Sequence, residues 1–141
     1  MANELLLDTG ALISLLDRSQ AHHRQFAEFF SGWNGAVVST EAILTEASHL
    51  LGRTSGGRNL CLKFFLTGGA TLIPTNLSTL RRCHVLMEKY ADQPMDYADA
   101  TLVMLAEELD TDLVFTTDWK DFEVYRFGRN RPFRILPSRQ L

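Results

Sequence analysis

The sequence has few cysteines and no long apolar run. Its two cysteines, Cys61 and Cys83, lie in predicted helices, without a C-x-x-C pair or a histidine at metal-ligand spacing. We therefore predict buried thiols in a reducing compartment rather than a disulfide or a zinc site. No apolar run approaches the ~20 residues of a membrane helix, and the first residues, MANELLLDTG, lack the features of a signal peptide. We expect a cytoplasmic protein without membrane association.

Positive charge is scarce overall but is concentrated in one segment. The formal net charge of −3 argues against nucleic-acid binding through overall charge. Acidic residues dominate positions 88 to 123, whereas positions 126 to 134 combine arginines with aromatic residues. The arginines are Arg126, Arg129, Arg131 and Arg134. This segment is either a solvated C-terminal face or a surface that contacts phosphates, together with Arg81 and Arg82.

The composition is that of one soluble globular domain. The chain has 141 residues, of which 45% are hydrophobic and 22% are charged, and a chain of this length buries roughly two-thirds of its surface on folding. No repeat, low-complexity segment or linker is present, so we assign a single domain over residues 1–141.

Short apolar runs alternate with longer helical patterns. Predicted strands cover residues 5–7, 36–38, 71–73, 113–115 and 133–136, and predicted helices cover 10–18, 21–32, 41–53, 57–67, 77–91 and 96–109, with a short helix after 118. The strands are short and continuously apolar, which is typical of a buried parallel sheet. Thr40 and Asn76 are suitable caps for the helices that follow them. The alternation predicts an α/β fold, a three-layer α/β/α sandwich around a short parallel five-stranded sheet.

Two aspartates follow predicted strands directly. Asp8 comes after the first strand, and Asp118 comes shortly after the fourth. Ligands of open α/β sheets bind outside the carboxyl ends of the strands, so both residues are site candidates. Each alone is also compatible with a helix N-cap or an Asx turn.

A third acid, Glu46, interrupts an apolar helical stripe. Its helical neighbours are Ile43, Ala47 and Leu50, and an isolated buried carboxylate is unfavourable unless it is paired, protonated or bound to a metal. A slight rotation of the helix would instead leave Glu46 at a solvated boundary.

Asp96 and Asp99 open the last long helix and lie on neighbouring positions of one face. A capping interaction explains both residues. However, Asp99 also leads the apolar stripe that continues through Leu102 and Val103, so we expect its side chain to face the sheet.

Carboxylates that converge at one sheet edge repel one another, which raises their pKa values unless a cation lies between them. An all-oxygen ligand set suits Mg²⁺ or Mn²⁺ rather than zinc or copper. Such an ion activates water and neutralises charge on a phosphodiester. The pattern therefore predicts hydrolysis of phosphate esters.

At these residues the sequence resembles the PIN-domain nucleases, particularly the VapC toxins of toxin–antitoxin pairs. The matching segments are residues 5–12, 45–51, 95–103 and 114–122, in the family's order and over nearly the whole chain. The resemblance implies an acidic quartet of Asp8, Glu46, Asp99 and Asp118, with Thr116 as the hydroxyl residue before the last acid. Asp96 is an additional acid that could assist or replace Asp99. The resemblance also implies Mg²⁺- or Mn²⁺-dependent endoribonuclease activity on RNA, a homodimer and a small antitoxin partner.

Other aspartate-based folds fit less well. A phosphoryl-accepting receiver domain needs adjacent acids after the first strand, and a haloacid-dehalogenase-like phosphatase needs an aspartate where Gly10 stands. A housekeeping RNA-processing PIN nuclease remains an alternative, as does a non-catalytic PIN-like binding or scaffold protein. The retention of all four acids argues against the non-catalytic alternative.

Overall fold

A computed structural model describes residues 3–139 of the chain. Its strands are β1 (Leu5–Leu7), β2 (Val37–Ser39), β3 (Thr71–Leu72), β4 (Leu113–Phe115), β5 (Arg126–Phe127), β6 (Arg131–Pro132) and β7 (Arg134–Leu136). Its helices are α1 (Thr9–Leu16), α2 (His23–Ser31), α3 (Glu41–Leu51), α4 (Gly57–Leu66), α5 (Leu77–Lys89), α6 (Tyr97–Leu109) and α7 (Trp119–Val124).

Five strands form a parallel sheet in the order β3-β2-β1-β4-β7. Alternate side chains of each central strand enter different cores, as the pleat of a strand requires. Leu5 and Leu7 pack into one core with α1, α2 and α4, whereas Leu6 packs into the other with α5 and α6. The three-layer α/β/α sandwich predicted from the sequence is therefore confirmed.

Helix starts agree with the predicted capping residues. Thr40 accepts a hydrogen bond from the Ile43 N–H at 3.4 Å, and Asn76 forms a reciprocal capping box with Thr79 at the start of α5. Both cysteines are free and buried, in α4 and α5, as predicted. Over residues 3–139, no helix has the length and apolar character required to cross a membrane.

The structure departs from the sequence prediction at the C-terminal end. Residues 126–134 include a two-stranded antiparallel hairpin, β5–β6, that the sequence analysis did not predict. Its strands have two residues each, too few to show a period. Gly128 and Asn130 have φ values of 56° and 61°, the left-handed conformation that such a turn uses. Contacts with α6 hold the hairpin, and Phe127 packs on Phe133 with ring centroids 4.9 Å apart.

Candidate active site

The strand order creates a crevice at the carboxyl ends of β1 and β4. The chain passes from β1 outward to β2 and β3 and then returns to the other side of β1 at β4. Such a reversal leaves an open crevice between the two strands, where ligands of α/β sheets bind. A cavity at this point, here called the acidic cavity, is lined by six carboxylate residues: Asp8, Glu46, Asp96, Asp99, Asp118 and Asp121. The predicted acids thus converge at one end of the sheet.

Asp8 is the most buried of these acids, with 5% of its surface exposed. It occupies the N-cap position of α1 but makes no side-chain capping bond. Its Oδ2 instead accepts a hydrogen bond from the Thr116 Oγ1 at 2.6 Å. Burial raises the pKa of Asp8 from 3.8 to about 6, against hydrogen bonds from Thr116 and the Thr9 backbone, and with smaller contributions from Asp118 and Glu46.

Thr116 joins the ends of the two central strands. Its hydroxyl donates to Asp8 and accepts a hydrogen bond from the Asp118 backbone N–H at 2.8 Å. The side chain is fully buried, so these two bonds satisfy a hydroxyl that would otherwise be costly to bury. Thr116 therefore fixes Asp8 relative to the turn that carries Asp118.

Asp118 serves both as a helix cap and as a wall of the acidic cavity. Its Oδ1 accepts a hydrogen bond from the Asp121 N–H at 3.2 Å, which caps α7. Burial, followed by the side chain of Asp121, raises the pKa of Asp118 from 3.8 to about 6. Asp121 was not among the predicted site residues. Its position three residues after Asp118, on the same side of a helical turn, was the available signal.

Asp96 and Asp99 take different positions at the start of α6. Asp96 is exposed and caps the helix by accepting a hydrogen bond from the Asp99 N–H at 2.8 Å. Asp99 is half-buried, and burial, followed by the charges of Asp8 and Asp96, raises its pKa from 3.8 to about 8. The Tyr125 hydroxyl donates to Asp99 Oδ2 at 3.2 Å. Burial and the Asp99 charge raise the pKa of Tyr125, so this hydroxyl stays protonated and remains a donor.

Glu46 reaches the acidic cavity from α3. The prediction that it lies within a buried apolar stripe is wrong. Leu50, expected in the same apolar stripe, is 46% exposed, and Glu46 is only half-buried. The stripe is rotated toward Ile43 and Ala47, which are fully buried. Glu46 therefore lies at the solvated boundary that the sequence analysis left open, and its charge is nevertheless close enough to contribute to the raised pKa of Asp8.

Gly10 allows the turn after β1 to approach the turn after β4. A Cβ atom at this position would lie 2.0 Å from the Thr117 Oγ1, far inside van der Waals contact. Gly10 and Thr117 both line the acidic cavity. The glycine in the Asp8-Thr9-Gly10 segment therefore has a packing role in building the site.

The donors of the acidic cavity fit a hard divalent cation in chemistry. All are oxygens, and three carboxyls have raised pKa values that a nearby cation would lower. The Thr9 hydroxyl on the cavity wall is buried and has no hydrogen-bond partner within residues 3–139. Across that same range, no three His, Cys, Asp or Glu side chains are already arranged to hold a metal ion.

The arginines of the C-terminal segment do not converge on the acidic cavity. Arg131 pairs with Asp110, which ends α6, whereas Asp96 begins that helix. At a rise of 1.5 Å per residue these ends are about 20 Å apart. Arg134 is in register with Leu113, the first residue of β4. It therefore lies at the amino ends of the strands, opposite the end that carries the acidic cavity.

The remaining candidate arginines are partly engaged within the chain. Arg126 donates to three backbone carbonyls at the end of α7, the shortest bond being 2.8 Å to Glu123. Arg82 forms a two-bond pair with Glu107, at 2.7 and 2.6 Å. Arg81 and Arg129 are exposed.

Comparison with known proteins identifies a relative that aligns with most of the chain. A ribonuclease of Mycobacterium tuberculosis, VapC26, is 26% identical over 135 residues, which cover 94% of this chain and all of that protein.

Solved structures share the fold at lower identity. The structure of VapC20 from Mycobacterium tuberculosis, described as a sarcin-ricin loop cleaving toxin, matches with a TM-score of 0.76 and 14% identity over 83% of this chain and 92% of that one. VapBC2 from Rickettsia felis, bound to a DNA fragment from its promoter, matches with a TM-score of 0.65 and 13% identity over 94% and 98% of the two chains. A toxin–antitoxin complex from Klebsiella pneumoniae gives 0.64 and 19% over 85% and 91%.

A sequence model of a protein family identifies the family of this chain. The model of the PIN domain matches residues 5–128, which include the four acids of the predicted quartet and the strands that carry them. Nucleases of this kind generally use divalent metal ions. The chain belongs to the PIN domain family.

Proposed function

We propose that this chain is a divalent-metal-dependent endoribonuclease and the toxin of a toxin–antitoxin pair. The observation that carries the proposal is the convergence of carboxylates from β1, α3, α6 and the turn after β4 on one crevice, with raised pKa values at three of them. Structural ion pairing does not explain this cluster, because none of the ion pairs within residues 3–139 joins a cation to one of these acids. An external cation would neutralise the cluster.

Asp8, Glu46, Asp99 and Asp118 would hold the ion, with Asp96 as an auxiliary acid. The all-oxygen donor set favours Mg²⁺ or Mn²⁺. When bound, such an ion activates water and stabilises charge on a phosphodiester.

The surrounding residues orient the acids. Thr116 donates to Oδ2 of Asp8, and Tyr125 donates to Oδ2 of Asp99. A cation that lowers the pKa of Asp99 below neutrality displaces a proton into solvent, so we expect ion binding to be tighter at higher pH.

The comparisons support the choice of substrate and partner. The relative from Mycobacterium tuberculosis is named a ribonuclease, and two of the structural matches are toxin–antitoxin assemblies. An acidic crevice also suits a cationic segment of a small antitoxin. By the family resemblance we further propose a homodimer that acts on cytoplasmic RNA.

A circular RNA tests the nuclease proposal, because only an endonuclease can open a circle. We expect Mg²⁺ or Mn²⁺ to support its linearisation, a chelator to stop it, and Asp99→Asn to abolish it. Asp112→Asn is a matched control, since Asp112 does not line the acidic cavity. No linearisation with any divalent ion would overturn the proposal.

A second experiment separates a toxin from a housekeeping nuclease. Expression of the wild-type chain should arrest growth, whereas expression of Asp99→Asn should not. Co-expression of the neighbouring small gene should restore growth if that gene encodes the antitoxin. Cleavage of RNA in vitro without growth arrest would favour the housekeeping alternative.

The C-terminal arginines would contact only phosphates that lie far from the cleaved bond. About 20 Å separates the two ends of α6, so an RNA bound at the acidic cavity must be long to reach Arg129 and Arg131. With catalysis blocked by Asp8→Asn, replacement of both arginines by Ala should lower the slope of log affinity against log salt by about 0.7 per lost contact. A short oligonucleotide should show no such change. An unchanged slope with long RNA would mean that the arginines do not contact it.

A further inference from the structure

A second cavity adjoins the acidic cavity. It lies between α3 and the first turn of α6 and has a volume of about 700 Å³, within the usual range for small-molecule sites. Glu46 and Asp96 line both cavities. A molecule in this second cavity, here called the α3–α6 cavity, would therefore touch carboxylates of the proposed metal site.

The walls of the α3–α6 cavity are mainly apolar, with polar groups among them. Ala42, Ala98 and the ring of Tyr97 contribute apolar surface, whereas Thr45 and His49 contribute a hydroxyl and an imidazole. Tyr97 is half-buried and packs against the core around α6. It is the first residue of that helix, directly after the capping residue Asp96. A slot with an aromatic wall and polar groups suits a planar base with apolar faces and a polar edge.

The charge of this cavity excludes phosphate as the occupant. Three carboxylates line it, those of Glu41, Glu46 and Asp96, and no lysine or arginine does. A strand bound here would therefore place its phosphate at the proposed metal site and a neutral base in the α3–α6 cavity. Carboxylates accept hydrogen bonds from amino groups, as in the pairing of Glu or Asp with the cytosine amino group.

We propose that the α3–α6 cavity is a subsite for the nucleobase of a nucleotide that flanks the cleaved phosphodiester. The subsite prefers bases with an amino group, namely cytosine, adenine and guanine, over uracil. This proposal rests on the proposed ribonuclease function and adds to it the element that selects where an RNA is cut.

Base stacking provides a direct binding test. Oligonucleotides carrying 2-aminopurine beside the mapped cleavage position are titrated with Asp8→Asn protein, which binds without cutting. We expect binding to quench the fluorescence. The added Tyr97→Ala change should remove the quenching and weaken binding at least about fivefold, the loss typical of one stacked base. Tyr97→Phe, which keeps the ring, should retain both. Equal quenching with and without the ring at position 97 would overturn the proposal.

Cleavage of randomised RNA tests the preference independently. Among the products of wild-type cleavage, uracil should be under-represented at one position next to the cut. Ala42→Leu, which enlarges a side chain on the cavity wall and leaves residue 97 a tyrosine, should flatten that preference. An unchanged profile in this variant, with circular dichroism showing a folded protein, would overturn the subsite while leaving the nuclease intact. If neither variant alters base selection but both alter the oligomeric state in light scattering, the cavity is an interface between chains and the proposal fails. Failure of the wild type to cut any RNA would instead overturn the proposed function. The fluorescence titration would then use single-stranded RNA with 2-aminopurine at each position in turn, and an absence of quenching that depends on Tyr97 would overturn the subsite.

Discussion

Replacement of Asp8 by Asn should separate catalysis from stability. Because a tenfold change in proton affinity corresponds to about 1.4 kcal/mol, the rise of the Asp8 pKa from 3.8 to about 6 means that the ionised carboxylate destabilises the metal-free fold by about 3 kcal/mol. Asn has nearly the same shape, is neutral, and still accepts the Thr116 bond through its single oxygen. The weaker interaction with the Thr9 backbone costs about 1 kcal/mol. We therefore expect metal-free Asp8→Asn to be about 2 kcal/mol more stable than wild type at pH 8.

Thermal melts at pH 8 and pH 4 measure this difference. For a chain of this size, 2 kcal/mol corresponds to a rise in Tm of roughly 6 °C, and the gain should largely vanish at pH 4, where Asp8 in the wild-type fold is protonated. Saturating Mn²⁺ should raise the Tm of wild type but not of the variant, because only the wild type binds the ion. The variant should also be inactive.

Asp17→Asn is the matched control for this experiment. Asp17 is exposed, and hydrogen bonds from Ser19 and Gln20 hold its pKa below the usual value, so its neutralisation should not stabilise the protein at any pH. A metal-free Asp8→Asn that melts below wild type at pH 8, or that gains as much as wild type from Mn²⁺, would refute the assignment of Asp8 as a buried metal ligand.

Three further predictions address the same site. Thr116→Val should weaken Mn²⁺ binding in calorimetry, because Asp8 loses its orienting donor, whereas Thr116→Ser should bind nearly as wild type; equal loss in both would contradict this role. The free energy of unfolding of the metal-free protein, measured in urea, should fall as the pH rises from about 4 to about 8, because Asp8 and Asp99 bind protons more tightly in the folded protein. Saturating metal should reduce this pH dependence. Gly10→Ala should lower the free energy of unfolding by about 1–3 kcal/mol, because the new methyl group collides with Thr117. In a Thr117→Ala background part of this loss should be recovered; if the effects of the two substitutions simply add, the methyl group and Thr117 do not collide.

The structure adds long-range pairs that no sequence period reveals. Tyr125 donates to Asp99 from 26 positions away, and Thr116 donates to Asp8 across 108 positions. Both bonds exist because separate elements meet at the carboxyl ends of β1 and β4. The rotation of α3, which leaves Leu50 exposed, is likewise set by packing against α1 and α4 and not by the helix's own pattern.

Local sequence patterns determined the parallel sheet, most helix starts and the positions of Asp8 and Asp118, because each depends on the strand or helix immediately beside it. They could not determine where the arginines of residues 126–134 lie, since the hairpin that carries most of them is held by contacts with α6 and by the packing of Phe127 on Phe133. They also could not show the α3–α6 cavity, which exists only between two helices that are distant in the chain. Tertiary structure decided these features because burial, pKa and cavity shape depend on what packs against a residue, not on its neighbours in sequence.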